Sequence, residues 1–379
     1  MKIKTTYKLG ELCFYIFLFL IMIYYAFRKT TLNYEVLNFT LILAIPFVMV
    51  KLVLEKYSLK EFICMGVLAV LGGISAVLIG NTSILVSFFI VLGMKNTDYM
   101  IALKIVFYIR LVSCIMILIG AFTGLVDNLE FIREEGTGQV RKAMGYAHPN
   151  TFGIYCFDII SLWFILYGRK KWKIKLLAAL GINVFSFMMT NSRTSFLLNL
   201  FYLAMVLLVN LMKDRKKLRL MAKLSFPFCL GINLLMPLIL GSDIGQKLDK
   251  MLSYRIRLSE SFIRVYGISP FGKKIANSVS SAYYWHLDSG YLNLFIQFGF
   301  IIGLICLILY YHAGKMEYSN KYIYAAIIGF SFYGIIEDVM SSFLFNYLWI
   351  ILGAAFYDML GSPQTNIQKK INGLLEDSL

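Results

Sequence analysis

The chain has 379 residues, of which 59% are hydrophobic and 15% charged, well below the quarter or so of charged residues usual in soluble domains. No polar stretch is long enough to hold a core of its own, so residues 1–379 read as a single membrane domain. The formal net charge of +16 does not point to nucleic acid, because the Lys and Arg residues are scattered between apolar runs and form no soluble basic module.

A membrane-crossing helix takes about 20 mostly apolar residues. Such runs fall near 11–27, 36–54, 61–79, 82–94, 105–126, 150–168, 174–190, 195–212, 220–240, 289–311, 322–340 and 343–360. The expected fold is therefore an all-α polytopic membrane protein of about 12 transmembrane helices. The first run, Leu12 to Phe27, is long, aromatic and followed by Arg28 and Lys29, which predicts a retained helix and not a cleaved signal. The run at 82–94 is short, and the stretch from Tyr99 to Arg110 carries Lys104 and Arg110, so the fifth span is expected to begin as an interfacial helix. Cys13, Cys64, Cys114, Cys156, Cys229 and Cys306 all sit inside apolar runs and read as small buried apolar residues.

Charge bias sets the orientation. With the amino terminus in the cytoplasm, Lys2, Lys4, Lys8 and the clusters "GRKKWKIK" (168–175) and "KDRKKLR" (213–219) lie inside, together with Lys369 and Lys370. On that arrangement both termini are cytoplasmic, with 24 of the 37 basic residues inside and 13 outside. Two outside segments, 127–149 and 241–288, stand out from otherwise tight connections. Loops above about 12–15 residues are uncommon unless they bind, cover or catalyse something.

Seven of the outside cations, Lys247, Lys250, Arg255, Arg257, Arg264, Lys273 and Lys274, lie in the second loop. They are either a solvated face or a site for an anionic substrate. Arginine suits a phosphate or diphosphate, because its planar fork donates two parallel hydrogen bonds and stays protonated in a partly dry site. Arg255 and Arg257 are two apart, so they diverge on a helix and share a face on a strand. Arg193, in "MMTNSRTSFL", is the only charge between two apolar runs; it either snorkels to the surface or serves function. His148 precedes Pro149 at the mouth of the sixth helix, which Asn150 is placed to cap. His286 and Asp288, in "YYWHLDSGYLNLFIQFG", stand ahead of the tenth helix; each is a candidate base, and Asp288 is equally a candidate helix cap. Glu337 and Asp338 are placed to pair with an arginine of such a site. No His or carboxylate cluster has metal-ligand spacing and no phosphate-cradling loop occurs, so neither a metal nor nucleotide hydrolysis is inferred.

Four segments in order, "GYAHPNTFG", "TNSRTSF", "SYRIRLSESFIRVYGISPFGKK" and "DSGYLNLFIQFGFIIG", together resemble the O-antigen polymerase and O-antigen ligase superfamily of bacterial envelope glycosyltransferases. They span residues 145 to 303, and the helix count extends the likeness. Many members carry His-Asn three and two residues ahead of the tyrosine in the last motif, where this chain has Asp288 and Ser289 ahead of Tyr291. Asp288 is thus the matching position and His286 a displaced substitute. The resemblance implies a bacterial plasma-membrane enzyme acting on undecaprenyl-diphosphate-linked oligosaccharide at the outer face, with no cofactor. It would move the growing glycan from its lipid carrier onto the next lipid-linked repeat, building a capsular, exopolysaccharide or O-antigen chain. On that basis Arg193 and Arg255, with Arg257 as the second choice, are expected at the diphosphate, His286 or Asp288 near the acceptor hydroxyl, and His148 shaping the site. A chain-length regulator and a flippase of the same pathway are the expected partners. The alternatives are a ligase of the same superfamily, which passes the glycan to a final acceptor, and a flippase or other transporter. A flippase would line a midplane cavity with charge and use broken or repeated helices, whereas the charge here collects in two outer loops.

Overall fold

The computed structural model of the chain describes residues 8–32, 35–132, 140–279 and 284–362. Lys2, Lys4, Lys369 and Lys370 lie outside the described residues. In chain order the helices are α1 (Leu9–Phe27), α2 (Asn38–Leu54), α3 (Leu59–Ile79), α4 (Ser83–Gly93), α5 (Tyr99–Thr123), α6 (Pro149–Tyr167), α7 (Trp172–Thr190) and α8 (Arg193–Leu211). They continue as α9 (Arg215–Leu235), α10 (Asp243–Met251), α11 (Arg255–Tyr266), α12 (Gly290–Ile296), α13 (Phe300–Lys315), α14 (Tyr322–Tyr333) and α15 (Leu348–Met359). Seven are long and apolar enough to cross a membrane: α1, α3, α5, α6, α7, α8 and α9 with the 3-10 turn that extends it to Ile239. Helices α2, α4, α13, α14 and α15 are apolar but shorter. The protein is a largely helical polytopic membrane protein.

The chain divides into two compact units, one of Met1–Ser58, Ile90–Leu211 and Tyr357–Leu379, the other of Leu59–Phe89 and Met212–Phe356. In the first unit α1 packs on α2 and α5, and α6 on α5, α7 and α8. The stretch from Tyr99 to Thr123 is one continuous helix. Arg110 is accommodated inside it because Asp158 of α6 stands 2.7 Å away, both side chains being fully buried. An unpaired charge there would cost several kcal/mol, and the Tyr155 ring, 5.5 Å from the guanidinium, adds a cation–π contact. The following loop forms a hairpin of β1 (Glu130–Ile132) and β2 (Val140–Lys142). The loop is tied to the end of α1, since Thr31 N–H donates to the Gly145 carbonyl at 3.2 Å and Ala147 N–H to the Lys29 carbonyl at 2.8 Å. Tyr146 of this loop stacks on Phe152 and meets Tyr155. Burial pushes its phenol well above its ordinary pKa, so it packs as a neutral ring.

In the second unit α9 packs on α13 and α14. The tenth apolar run is not one helix: it breaks at Gln297–Gly299 into α12 and α13. Residues 269–273 of the long loop seat in that break. Phe300 N–H donates to the Ser269 carbonyl at 2.9 Å and Lys273 N–H to the Gln297 carbonyl at 3.0 Å, which satisfies backbone that a broken helix leaves open. The two backbones approach so closely that Gly272 (φ +79°) and Gly299 (φ +96°) are both required: a Cβ on Gly272 would lie 2.0 Å from the Gln297 carbonyl oxygen. The eleventh run is helical only to Tyr333, and residues 334–347 are irregular. Such backbone is tolerated at membrane depth where protein buries it, and none of these residues is exposed. Their polar groups bond internally, as where Asn346 Nδ2 donates to the Tyr310 hydroxyl at 2.6 Å and Phe343 N–H to Ser87 Oγ at 3.1 Å.

The long loop of the second unit holds α10, α11 and a hairpin of β3 (Ser278–Val279) and β4 (Tyr284–Trp285). A small core of Phe262, Ile275, Leu287, Leu292 and Ile296 fastens it to α12, with Trp285 stacked on Phe262 at 4.5 Å. Burying aromatic side chains in this way contributes on the order of 1.5–3 kcal/mol each, enough to hold the loop as an ordered element.

Candidate functional site

Helix α11 starts abruptly, because Ser253 and Tyr254 both take left-handed backbone (φ +55° and +63°) and turn the chain out of α10. Asp249 caps the new helix: Oδ1 accepts from Arg257 N–H at 3.0 Å, and Oδ2 stands 3.5 Å from Arg257 Nε. Being two apart on a helix, Arg255 and Arg257 diverge. Arg257 stays 61% exposed beside Asp249, while Arg255, 16% exposed, turns inward.

Arg255 lies at the centre of a cluster of polar groups in this unit. Its Nη1 and Nη2 both donate to Glu337 Oε1 at 3.2 Å, and Nη1 also donates to the Ile336 carbonyl. Its Nε lies 3.3 Å from Asp288 Oδ2. The other oxygen of Asp288 is 3.3 Å from His286 Nδ1. Arg255 and the His286/Asp288 pair, from two separate parts of the loop, thus form a line: guanidinium, carboxylate, imidazole. Glu337 pairs with Arg255 as expected of it, but from the irregular stretch beyond α14. Asp338 instead accepts from Asn293 Nδ2 at 2.6 Å and from Ser341 Oγ at 3.1 Å.

Asp288 is free for this role because the next residue takes the helix-capping one. Ser289 is the N-cap of α12, its Oγ accepting from Leu292 N–H at 3.2 Å and donating to Asn233 Oδ1 at 2.6 Å. The short hydroxyl reaches the first turn, and the carboxylate before it points away to Arg255. The reading of Asp288 as a helix cap is thereby corrected.

Beside Arg255 opens a narrow cleft of about 20 Å³, room for little more than a water molecule, with Asn233, Ser259, Ser289, Met236, Leu252 and Ile336 in its lining. Apolar walls with one guanidinium, one amide and two hydroxyls suit a ligand that joins a hydrocarbon chain to an anionic group. With a carboxylate facing Nδ1, His286 favours the tautomer whose Nε2 carries the lone pair, and its 34% exposure leaves the ring within reach of a ligand.

The first unit holds the other two candidates. His148, and not Asn150, caps α6: its Nδ1 accepts from Asn150 N–H at 3.2 Å, and Phe131 meets the ring edge-on at 5.4 Å. With Pro149 in the first turn and the imidazole doing the capping, the Asn150 side chain turns elsewhere. Its Oδ1 accepts from Arg141 Nη2 at 2.7 Å and from Ser192 Oγ at 2.8 Å. Arg141 Nε also donates to the Thr190 carbonyl at 3.3 Å, so this residue, absent from the sequence-based candidates, clamps the α7–α8 junction. Arg193 begins α8 and is exposed; among the described residues it makes no ion pair or hydrogen bond. Among the described residues no group of three or more His, Cys, Asp or Glu side chains is placed to hold a metal ion.

Comparison with protein-family models, curated proteins and solved structures finds no match to this chain.

Proposed function

We propose that the protein is a multi-pass bacterial plasma-membrane polymerase with some twelve spans and cytoplasmic termini. It would transfer a glycan from a polyprenyl-diphosphate carrier onto the next lipid-linked repeat at the outer face. The observation that carries this reading is the Arg255–Asp288–His286 line beside a cleft with mixed apolar and polar walls. In the reaction an acceptor hydroxyl attacks the anomeric carbon of the donor sugar. The new carbon–oxygen bond forms as the bond to the diphosphate oxygen breaks, and its electron pair leaves with the lipid diphosphate. His286 Nε2 takes the hydroxyl proton. Asp288 holds the imidazole in the right tautomer and balances the imidazolium that forms. Arg255 stabilises charge on the departing diphosphate, a role in which a fixed guanidinium is most effective away from bulk water. Arg193, exposed in the first unit, is proposed as a further anion contact, with Arg257 as an outer reserve and His148 as a positioning residue.

The test is the length of glycan made by cells lacking this protein and complemented with the intact chain or with Arg255→Ala or Arg193→Ala at matched membrane levels. Cells without the protein are expected to hold single lipid-linked repeats, with long chains restored by the intact chain only. Long lipid-linked chains that never reach a final acceptor would instead make it a ligase. Repeats trapped on the cytoplasmic leaflet would make it a flippase.

A further inference from the structure

Helix α10 presents a surface that the proposed chemistry does not use. Its inner side, Gly245 and Asp249, is buried. On the opposite side Ile244 (70% exposed) and Met251 (79%) sit one heptad apart and project together, with half-buried Leu248 completing an apolar stripe. Lys247 borders that stripe, Lys250 lies farther round, and Gln246 points away from it; all three are exposed. Among the described residues neither lysine forms an ion pair. Large apolar side chains left in water beside lysines are a poor design for a solvated loop, and a suitable one for a bilayer interface.

The position of the helix in the chain supplies the second observation. Only the turn through Ile239 and three further residues separate α10 from the membrane-crossing helix α9. The exposed apolar surface of α9, at Leu234 and Leu235, continues through Leu238 (76% exposed) and Ile239, and resumes at Ile244 after the short exposed turn of Gly241, Ser242 and Asp243. A membrane-crossing helix exposes such residues to lipid, and the three residues between Ile239 and α10 reach no more than about 10–11 Å, so α10 begins close to the interface.

We propose that α10 is an interfacial helix lying on the leaflet that α9 reaches, with Ile244, Leu248 and Met251 entering the acyl boundary. Lys247 and Lys250 pair with the phosphates of anionic lipids, their apolar stems lying along the boundary. The helix is a membrane-surface anchor for the neighbouring cleft, since Asp249 caps α11 and Leu252 lines the cleft beside Arg255. Its depth in the interface sets the height of Arg255 above the acyl region. This anchor stands whether or not the glycan-transfer reading does.

The experiment uses the full chain in nanodiscs of phosphatidylethanolamine and phosphatidylglycerol. An environment-sensitive fluorophore is placed at Ile244→Cys, Met251→Cys or Gln246→Cys, with labelling of the unsubstituted chain as the blank. Labels at 244 and 251 are expected to be quenched more by lipid spin-labelled near the top of the acyl chain than by an aqueous quencher, and the label at 246 in the reverse order. Removing phosphatidylglycerol, or making Lys247→Gln with Lys250→Gln, should shift labels 244 and 251 toward aqueous quenching. Aqueous quenching at all three positions would overturn the proposal, since α10 would then be a solvated loop. Protection of 244 and 251 from both quenchers would overturn it equally, by showing that protein and not lipid covers the face. Lipid quenching that is indifferent to anionic lipid and to both lysines would overturn the phosphate pairing.

Discussion

At the scale of single residues the central element is the Asp288 carboxylate, which stands 3.3 Å from Arg255 Nε on one side and 3.3 Å from His286 Nδ1 on the other. If His286 is the base and Asp288 its orienting group, Asp288→Asn and His286→Ala should each lower the turnover number for glycan transfer by about 10²–10⁴-fold with little change in donor KM. The double variant should be no slower than the worse single variant, because the two act as a unit. Initial rates with lipid-linked donor check this, and additive losses would show that the residues act separately. Arg255→Lys should cost on the order of 10²–10³-fold, since a point charge cannot reproduce the fork that reaches Glu337 and Asp288 together. His286, Asp288, Arg255 and the pairing of Glu337 were legible as residue types next to helix starts in a loop too long to be idle. Which of Asp288 and Ser289 caps α12 was not legible, because both residue types cap helices and only the direction of the side chain decides. Arg141 and Asn233 carried no local signal: one is an ordinary loop cation, the other a single amide in an apolar helix.

At the scale of elements, two arrangements support the rest. The Arg110–Asp158 pair joins α5 to α6 inside the first unit. Arg110→Met alone or Asp158→Leu alone should destabilise by about 3–5 kcal/mol, because each leaves a buried charge, whereas the double variant should recover most of the loss. Thermal unfolding in detergent reads this directly. The second arrangement is the seating of residues 269–273 in the α12–α13 break. Gly272→Ala should cost about 1–2 kcal/mol for the left-handed backbone alone, and more because the new methyl meets the Gln297 carbonyl. Protease cleavage within residues 267–279 should rise in step with the loss of transfer activity. The apolar runs located the helices well, but hydropathy cannot reveal the α12–α13 break or the irregular 334–347 stretch. The break is only three residues long, and the polar residues of 334–347 are interspersed with Ile, Val, Met, Phe and Leu; what sustains both is hydrogen bonding to residues distant in sequence. The buried pair was half legible. Arg110 is visible as a charge within an apolar run, but its partner is not, because Asp158 lies on another helix.

For the molecule as a whole, the orientation proposed from the bias of its cations predicts which surfaces face which compartment. Cysteines at Lys170 and Lys216 should label only from the cytoplasmic side, and those at Lys142 and Lys274 only from outside. Labelling of Lys142→Cys and Lys274→Cys from the cytoplasm would place the cleft beside Arg255 on the wrong face for an exported glycan. Helical character and membrane residence were legible from composition alone, while the division into two interleaved units was not, since it depends on packing between segments far apart in the chain. Transfer of glycan from a lipid diphosphate is measured by supplying the purified intact chain with lipid-linked repeat units only. The predicted result is lipid-linked oligomers of two or more repeats with one polyprenyl diphosphate released per linkage formed, and neither product with Arg255→Ala. Unchanged repeats with the intact, folded chain, or oligomers formed equally well by Arg255→Ala, would contradict it.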